Sequence, residues 1–291
     1  MPIAHNLLPE RPLDAATASL LRALDRTAKD LGIEYFVGGA TARIVILEHV
    51  FGTAPGRATR DVDIGICVED WARHAAFKGT LTSTGFFEAT PRNPHKLLYR
   101  PAPGVVLQLD IIPFGEIEKP AASIAWPPDM DTLMNVAGFR EASLAAVSIR
   151  IEDDLLIPFA SLPSMAILKL LAWRDRNHES RHDATDLLIL LSTYDRAGNQ
   201  DRLYDQESAL LEQHGYDTDI AAAALLAKDA RPIASTEARA QLIEIFDDEA
   251  RYQVLIDHMS FGDALRARDD GMDPMRVRQR MDAFRTEFMK I

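Results

Sequence analysis

Two aspartates separated by a single valine stand in a β-type run, Arg60-Asp61-Val62-Asp63-Ile64, and a third, Asp110, separates Val105-Val106-Leu107-Gln108-Leu109 from Ile111-Ile112. No other feature restricts the fold as much. Alternate residues of a strand share a face, so Asp61 and Asp63 point one way while Val62 and Ile64 face the opposite layer. The commoner origin of any single Asp-x-Asp is the wet face of a half-exposed strand. Strands are nevertheless depleted in aspartate, and like charges side by side on an apolar strand cost stability. A carboxylate inside the second apolar run is costlier still unless it is compensated. Neighbouring carboxylates repel unless a cation lies between them, and oxygen-only ligation with room for phosphates suits Mg²⁺. A strand carrying Asp110 beside the first would complete a set of three metal ligands: Asp61, Asp63 and Asp110.

Composition permits this arrangement and narrows little else. At 291 residues the chain exceeds a typical single core, so one large domain or two smaller ones is expected. Hydrophobic residues make up 47% and charged residues 26%, the balance of a soluble globular protein. The single cysteine, Cys67, excludes an internal disulfide framework and fits a reducing compartment. No basic segment followed by an apolar one opens the chain and no apolar stretch is long enough to span a bilayer, so a cytoplasmic protein without membrane association is expected. A net charge of −12 and a pI near 5.1 oppose nucleic acid as a whole, so a polyanionic partner needs a local basic patch. Arg57, Arg60, Arg73, Lys78, Arg92, Lys96 and Arg100 offer one; the plain alternative is scattered solvated charge.

Leu20, Leu21, Leu24 and Ala28 recur at helical spacing, which predicts a surface helix over Ala15 to Leu31, ended by Gly32. Ile33 to Val37 reads as a strand, Gly38-Gly39 as a turn and Ala40 to Val50 as a helix. Asp61 to Val68 is a strand, Trp71 to Gly85 a helix, and Lys96 to Tyr99 with Val105 to Pro113 a hairpin turned at Pro101-Ala102-Pro103-Gly104. Strands follow at Ala146 to Ile151 and Leu155 to Ala160. From Pro163, a residue suited to a helix's first turn, the pattern is helical almost to the end. The expected fold is therefore α/β (α+β): a mixed-sheet catalytic domain over 1–160, followed by an all-helical domain over 161–291.

Gly38-Gly39 opens a helix after a strand, where backbone N–H groups are free and glycine permits close approach, a ready site for phosphate. By itself it is more often a tight turn. Thr41 and Arg43, just inside the helix, add a hydroxyl and a guanidinium suited to a triphosphate, and Arg60 adds a charge beside the aspartates. Lys169 lies on an apolar helix face between Met165 and Trp173. It either covers a core edge with its stem or points into a cleft, where it meets a triphosphate or, without one, Asp183 or Asp186. Those two aspartates are three apart and share a helix face; a favourable charge in a helix's first turn is the competing explanation. His178 and His182 lack the further ligands a zinc site needs and read as surface loop residues. Trp71, Trp126 and Trp173 have no spacing that suggests a stacking platform and read as core.

Together these pieces describe a two-metal nucleotidyl-transfer site. At these residues the chain resembles the nucleotidyltransferase superfamily, whose members carry a G-G/S turn, an hDh[DE]h strand and a third carboxylate strand. Within it, Phe36-Val37-Gly38-Gly39-Ala40-Thr41-Ala42, Arg60-Asp61-Val62-Asp63-Ile64 and Lys169-Leu170-Leu171-Ala172-Trp173-Arg174-Asp175-Arg176 resemble the AbiEii-type toxins of type IV toxin–antitoxin systems. Arg181-His182-Asp183-Ala184-Thr185-Asp186-Leu187 matches that family's [RK]-D-x-x-D-[LI] element with His182 intervening. The resemblance covers Phe36 to Leu190. It implies Asp61, Asp63, Asp110 and Lys169 as catalytic, two Mg²⁺ ions, and Gly38, Gly39, Thr41, Arg43, Arg60, Lys169, Asp183 and Asp186 around an NTP. It further implies an RNA or tRNA acceptor and a cognate antitoxin. Two rivals stand beside this expectation: transfer to an antibiotic, another small hydroxyl compound or a protein, and an inactive homologue kept as a binding subunit. Full retention of three repelling carboxylates opposes the second.

Overall fold

The computed structural model describes residues 4–54, 56, 59–90, 93–260 and 273–290; Arg57 and Arg92 of the basic stretch lie outside the described residues. No helix among the described residues is long and apolar enough to cross a membrane. The chain divides into two compact units, Met1–Val45 with Ala58–Ser161, and Ile46–Arg57 with Leu162–Ile291.

Strands dominate the first unit: β1 (Ala4–Asn6), β2 (Tyr35–Gly38), β3 (Asp61–Cys67), β4 (Phe87–Ala89), β5 (Lys96–Tyr99), β6 (Leu107–Phe114), β7 (Ser123–Trp126), β8 (Thr132–Asn135), β9 (Val147–Glu152) and β10 (Leu155–Phe159). Eight of them form one mixed sheet in the order β1-β9-β10-β2-β3-β6-β5-β4, while β7 and β8 make a separate antiparallel hairpin. β2 runs antiparallel to β3, β3 parallel to β6, and β6 antiparallel to β5. The apolar residues of β3 and β6 supply the reason. Val62, Ile64, Leu109 and Ile111 are all buried, so both strands must lie inside the sheet rather than at its edge.

Helix α1 (Ala15–Leu31) begins where the Asp14 carboxylate accepts from the N–H groups of Ala16 and Thr17, and ends at Gly32 with φ 63°. Its stripe of Leu20, Leu21, Leu24 and Ala28 is buried, as the spacing predicts. The helix expected over Ala40 to Val50 resolves into α2 (Gly39–Ile44) and a π-helical segment, Val45–Val50. Helices α3 (Trp71–Ser83) and α4 (Phe139–Leu144) complete the unit. The strands β1, β4, β7 and β8 and the helix α4, three to six residues each, are not among the elements expected from the sequence.

The second unit is helical: α5 (Leu162–Arg176), α6 (His182–Leu191), α7 (Gln200–Asp205), α8 (Ser208–Gln213), α9 (Thr218–Ala230), α10 (Thr236–Asp247), α11 (Glu249–Ser260) and α12 (Pro274–Phe288). Ala221 to Ala227 are buried all round α9, and α12 and α5 pack against it, so α9 is the axis of the unit. Residues 46–54 belong to this unit. A Cβ added at Gly198 would lie 2.8 Å from the Phe51 ring, so this segment is packed tightly against the turn after α6.

Candidate active site

Register assembles the first part of the site. Asp63 pairs with Gly38 across the β2–β3 ladder and with Asp110 across the β3–β6 ladder, and Asp110 pairs with Lys96 across the β6–β5 ladder. Gly38, Asp63, Asp110 and Lys96 therefore form one row across four adjacent strands. Asp61 sits on the same face two residues earlier, opposite Gln108. Asp61, Asp63 and Asp110 are all half-buried, while Val62, Ile64, Leu109 and Ile111 beneath them are sealed in the core.

Gly39 explains why a glycine follows the strand. Its φ is +61°, and an added Cβ would lie 1.8 Å from Asp63 Oδ2, so the Asp63 carboxylate occupies the space a side chain would need. Thr41 and Arg43 have other surroundings than the sequence suggests. The Thr41 hydroxyl donates to the Asp61 backbone carbonyl at 2.7 Å, which ties α2 to the start of β3 and commits its proton. Arg43 is only 1% exposed. Arg60 is exposed, and its carbonyl accepts from Gln108 N–H, extending the β3–β6 ladder.

Lys96, one of the candidate basic patch, extends the row by an ion pair. Its ammonium lies 3.4 Å from Asp110 Oδ1 and donates to Gln108 Oε1 at 3.0 Å. Pairing the hairpin arms outward from Pro101-Ala102-Pro103-Gly104 brings Lys96 to Leu109; the observed register, Tyr99 opposite Leu107, is offset by one residue, and only that offset brings Lys96 to Asp110. Arg73, Arg100 and Lys78 of the basic stretch are also engaged. Arg73 pairs with Glu69 at 3.5 Å and donates to the Leu31 carbonyl, Arg100 pairs with Glu88 at 2.9 Å, and Lys78 donates to the Pro94 carbonyl.

Beside this row lies an aromatic group. Trp71 and Trp126 have ring centroids 5.1 Å apart, and His74 and His95 stand 5.8 Å and 5.5 Å from Trp126. Trp126 is core, as expected, but Trp71 is half-buried and joins a cluster. Burial pushes the His74 imidazole down to about 4, with Lys78 and His95 acting in the same direction. His95 is lowered first by burial and then by Lys96 and Lys78, against an opposing pull from the Asp63 carboxylate.

In the second unit the Lys169 ammonium lies between two carboxylates, 3.0 Å from Asp183 Oδ1 and 2.7 Å from Asp186 Oδ2. Arg176 closes the network by donating to both Asp183 oxygens at 2.7 and 3.0 Å. Burial is the largest influence on Lys169 and pulls its pKa down, but Asp186 and Asp183 together outweigh it and leave it raised. Asp183 mirrors this: burial would raise it, and Lys169 with Arg176 hold it below the usual carboxylate range. His182 opens α6 on an exposed position, so it belongs to a helix rather than a loop, and His178 is exposed in the preceding turn.

No three histidine, cysteine or carboxylate side chains among the described residues converge as a closed metal cage. Mg²⁺ does not require one, because it commonly takes one or two carboxylates and completes its shell with water and substrate phosphate. Asp61 and Asp63 on one face, with Asp110 in register, give an oxygen-only donor set that fits this pattern.

The family described as Nucleotidyl transferase AbiEii toxin, Type IV TA system, matches residues 22–274, a span extending far beyond Phe36 to Leu190 at its C-terminal end. Among solved structures, an antigenic nucleotidyltransferase-like protein from Paracoccidioides brasiliensis is 15% identical with a TM-score of 0.43, covering 69% of this chain and 93% of its own. The solution structure of antibiotic-resistance factor ANT(2'')-Ia is 12% identical with a TM-score of 0.36, covering 70% of this chain and 99% of its own. No protein of curated function matches in sequence.

Proposed function

This chain belongs to the nucleotidyl transferase AbiEii family, described as toxins of type IV toxin–antitoxin systems, and from that premise we propose a Mg²⁺-dependent transfer of a nucleoside monophosphate from an NTP to an RNA end, restrained by a cognate antitoxin. In such a transfer the acceptor oxygen bonds to the α-phosphorus. The bond from that phosphorus to the oxygen bridging the β-phosphate breaks, and pyrophosphate leaves with the electron pair. Asp61 and Asp63 would hold Mg²⁺, which when bound would supply positive charge against the phosphates.

The chain's own residues supply the rest. Gly38 and Gly39 let phosphate oxygens approach backbone N–H groups, and the absent Cβ of Gly39 leaves the Asp63 carboxylate its place. Thr41 positions β3 through the Asp61 carbonyl rather than binding phosphate with its proton. Asp110 receives the proton of the acceptor hydroxyl. Lys169, the further catalytic candidate, is held within the second unit by Asp183 and Asp186. The observation that carries this reading is the register that sets Gly38, Asp63 and Asp110 in one row.

One observation favours a second acceptor class. Arg73, Lys96 and Arg100 of the basic stretch are paired with Glu69, Asp110 and Glu88, which suits a small hydroxyl compound or a protein hydroxyl better than a polyanion. Incubation with each labelled NTP, Mg²⁺ and either total RNA or cell lysate separates the two. Label in RNA supports the first, and label in a protein or small-molecule fraction supports the second. Absence of label from every fraction with every NTP refutes both.

A further inference from the structure

We propose that the Lys96 ammonium serves as the second cation of this site, so that one Mg²⁺ rather than two accompanies the nucleotide. The inference rests on the transfer reading above and deepens it. Lys96 opens β5 and Asp110 is its direct partner on β6, so the two side chains leave the sheet on one face. They meet at 3.4 Å, and a hydrogen bond of 3.0 Å to Gln108 holds the ammonium from a second direction. Both side chains are about four-fifths covered, at 21% and 20% exposure, so the ion pair is held by its surroundings. Gln108 is the register partner of Asp61 and Asp110 that of Asp63. The ammonium thus stands at the third carboxylate, one strand beyond the aspartate pair.

That position decides the ion count. A metal between Asp61, Asp63 and the triphosphate would have two carboxylates of one strand face as protein ligands. A second metal at Asp110 would have to displace the ammonium or sit beside it against like charge. An ammonium has three N–H donors and no acceptor. Gln108 takes one of them by a hydrogen bond and Asp110 Oδ1 lies at ion-pair distance, so the ammonium keeps N–H donors for the acceptor oxygen or an α-phosphate oxygen.

Counting ions tests this without reliance on turnover. Mn²⁺ is titrated into the full chain with a non-hydrolysable NTP analogue, and bound ions are counted from loss of the free-ion EPR signal. The parent and Lys96→Arg should bind one tight ion per chain. Lys96→Gln should bind two, the second at least about ten-fold tighter than any second ion in the parent. Lys96→Met, a different neutral side chain, should give the same count of two. Two tight ions in the parent, or one in both neutral variants, overturns the role of Lys96 and leaves the transfer reading standing. An Asp63→Asn variant that keeps the parent's ion, or a parent that binds none, overturns the transfer reading and the role of Lys96 with it.

Discussion

Gly39 and Gly32 form a natural control pair, and replacing each by alanine tests the geometry around Asp63. Both glycines have positive φ, +61° and +63°, so each alanine carries the same left-handed backbone strain, about 1–2 kcal/mol. Their surroundings differ. The new methyl at Gly32 meets nothing within 4 Å, whereas at Gly39 it lies 1.8 Å from Asp63 Oδ2 and 2.7 Å from its Cγ. Asp63 Oδ2 must therefore withdraw by roughly 1.6 Å to regain van der Waals separation. A misplacement of that order in a catalytic group costs about a hundred-fold in rate. Gly32→Ala should lower the thermal midpoint by about 2–8 °C and leave turnover unchanged. Gly39→Ala should lose more stability than Gly32→Ala and about a hundred-fold or more in pyrophosphate release at saturating NTP and Mg²⁺. In an Asp63→Ala background the overlap is gone, so the excess loss at Gly39 should shrink to that of Gly32. The reasoning fails if Gly39→Ala turns over like Gly32→Ala, or if its excess loss of stability persists without the Asp63 side chain.

Asp61→Asn and Asp63→Asn should each abolish turnover while the thermal midpoint holds or rises, because one repelling charge leaves the row; parent-like pyrophosphate release by either variant removes it from the site. Mg²⁺ with NTP should raise the midpoint more than NTP in excess chelator, with about 2.7 kcal/mol of stabilisation available at a hundred-fold excess over Kd; equal shifts in a paired thermal scan contradict a metal-bridged triphosphate. Lys169→Met should destabilise the chain by about 3–5 kcal/mol, since it removes the ammonium from beside two buried carboxylates, Asp183 and Asp186; an unchanged denaturation midpoint would show that the Lys169 ion pairs contribute nothing. His74 is held near 4, below its unfolded value of about 6.5, so it binds its proton more readily unfolded than folded. Stability from this group is therefore complete above about pH 6.5 and declines as pH falls toward 4, and His74→Phe should flatten that decline in urea titrations.

What the sequence determines by itself is local. The stripe of α1 and its Gly32 terminus, the shared face of Asp61 and Asp63, the glycine turn after β2 and the change to helices near Pro163 follow from periods of 3.6 and 2.0 and from caps. Such patterns need only neighbours a few positions away. Pairings across long stretches of chain do not appear in them. That Asp63 faces Asp110 through a parallel ladder, and that Asp110 then faces Lys96, depends on which strands the buried Val62, Ile64, Leu109 and Ile111 bring together. The same holds for individual side chains. Thr41 finds the Asp61 carbonyl, Arg43 is sealed from solvent, and Lys169 lies between two carboxylates of the next helix. Residue type supplies each group's capacity to bind a phosphate, a metal or a counter-charge. Only tertiary packing, by excluding water and presenting one partner before another, decides which capacity is used.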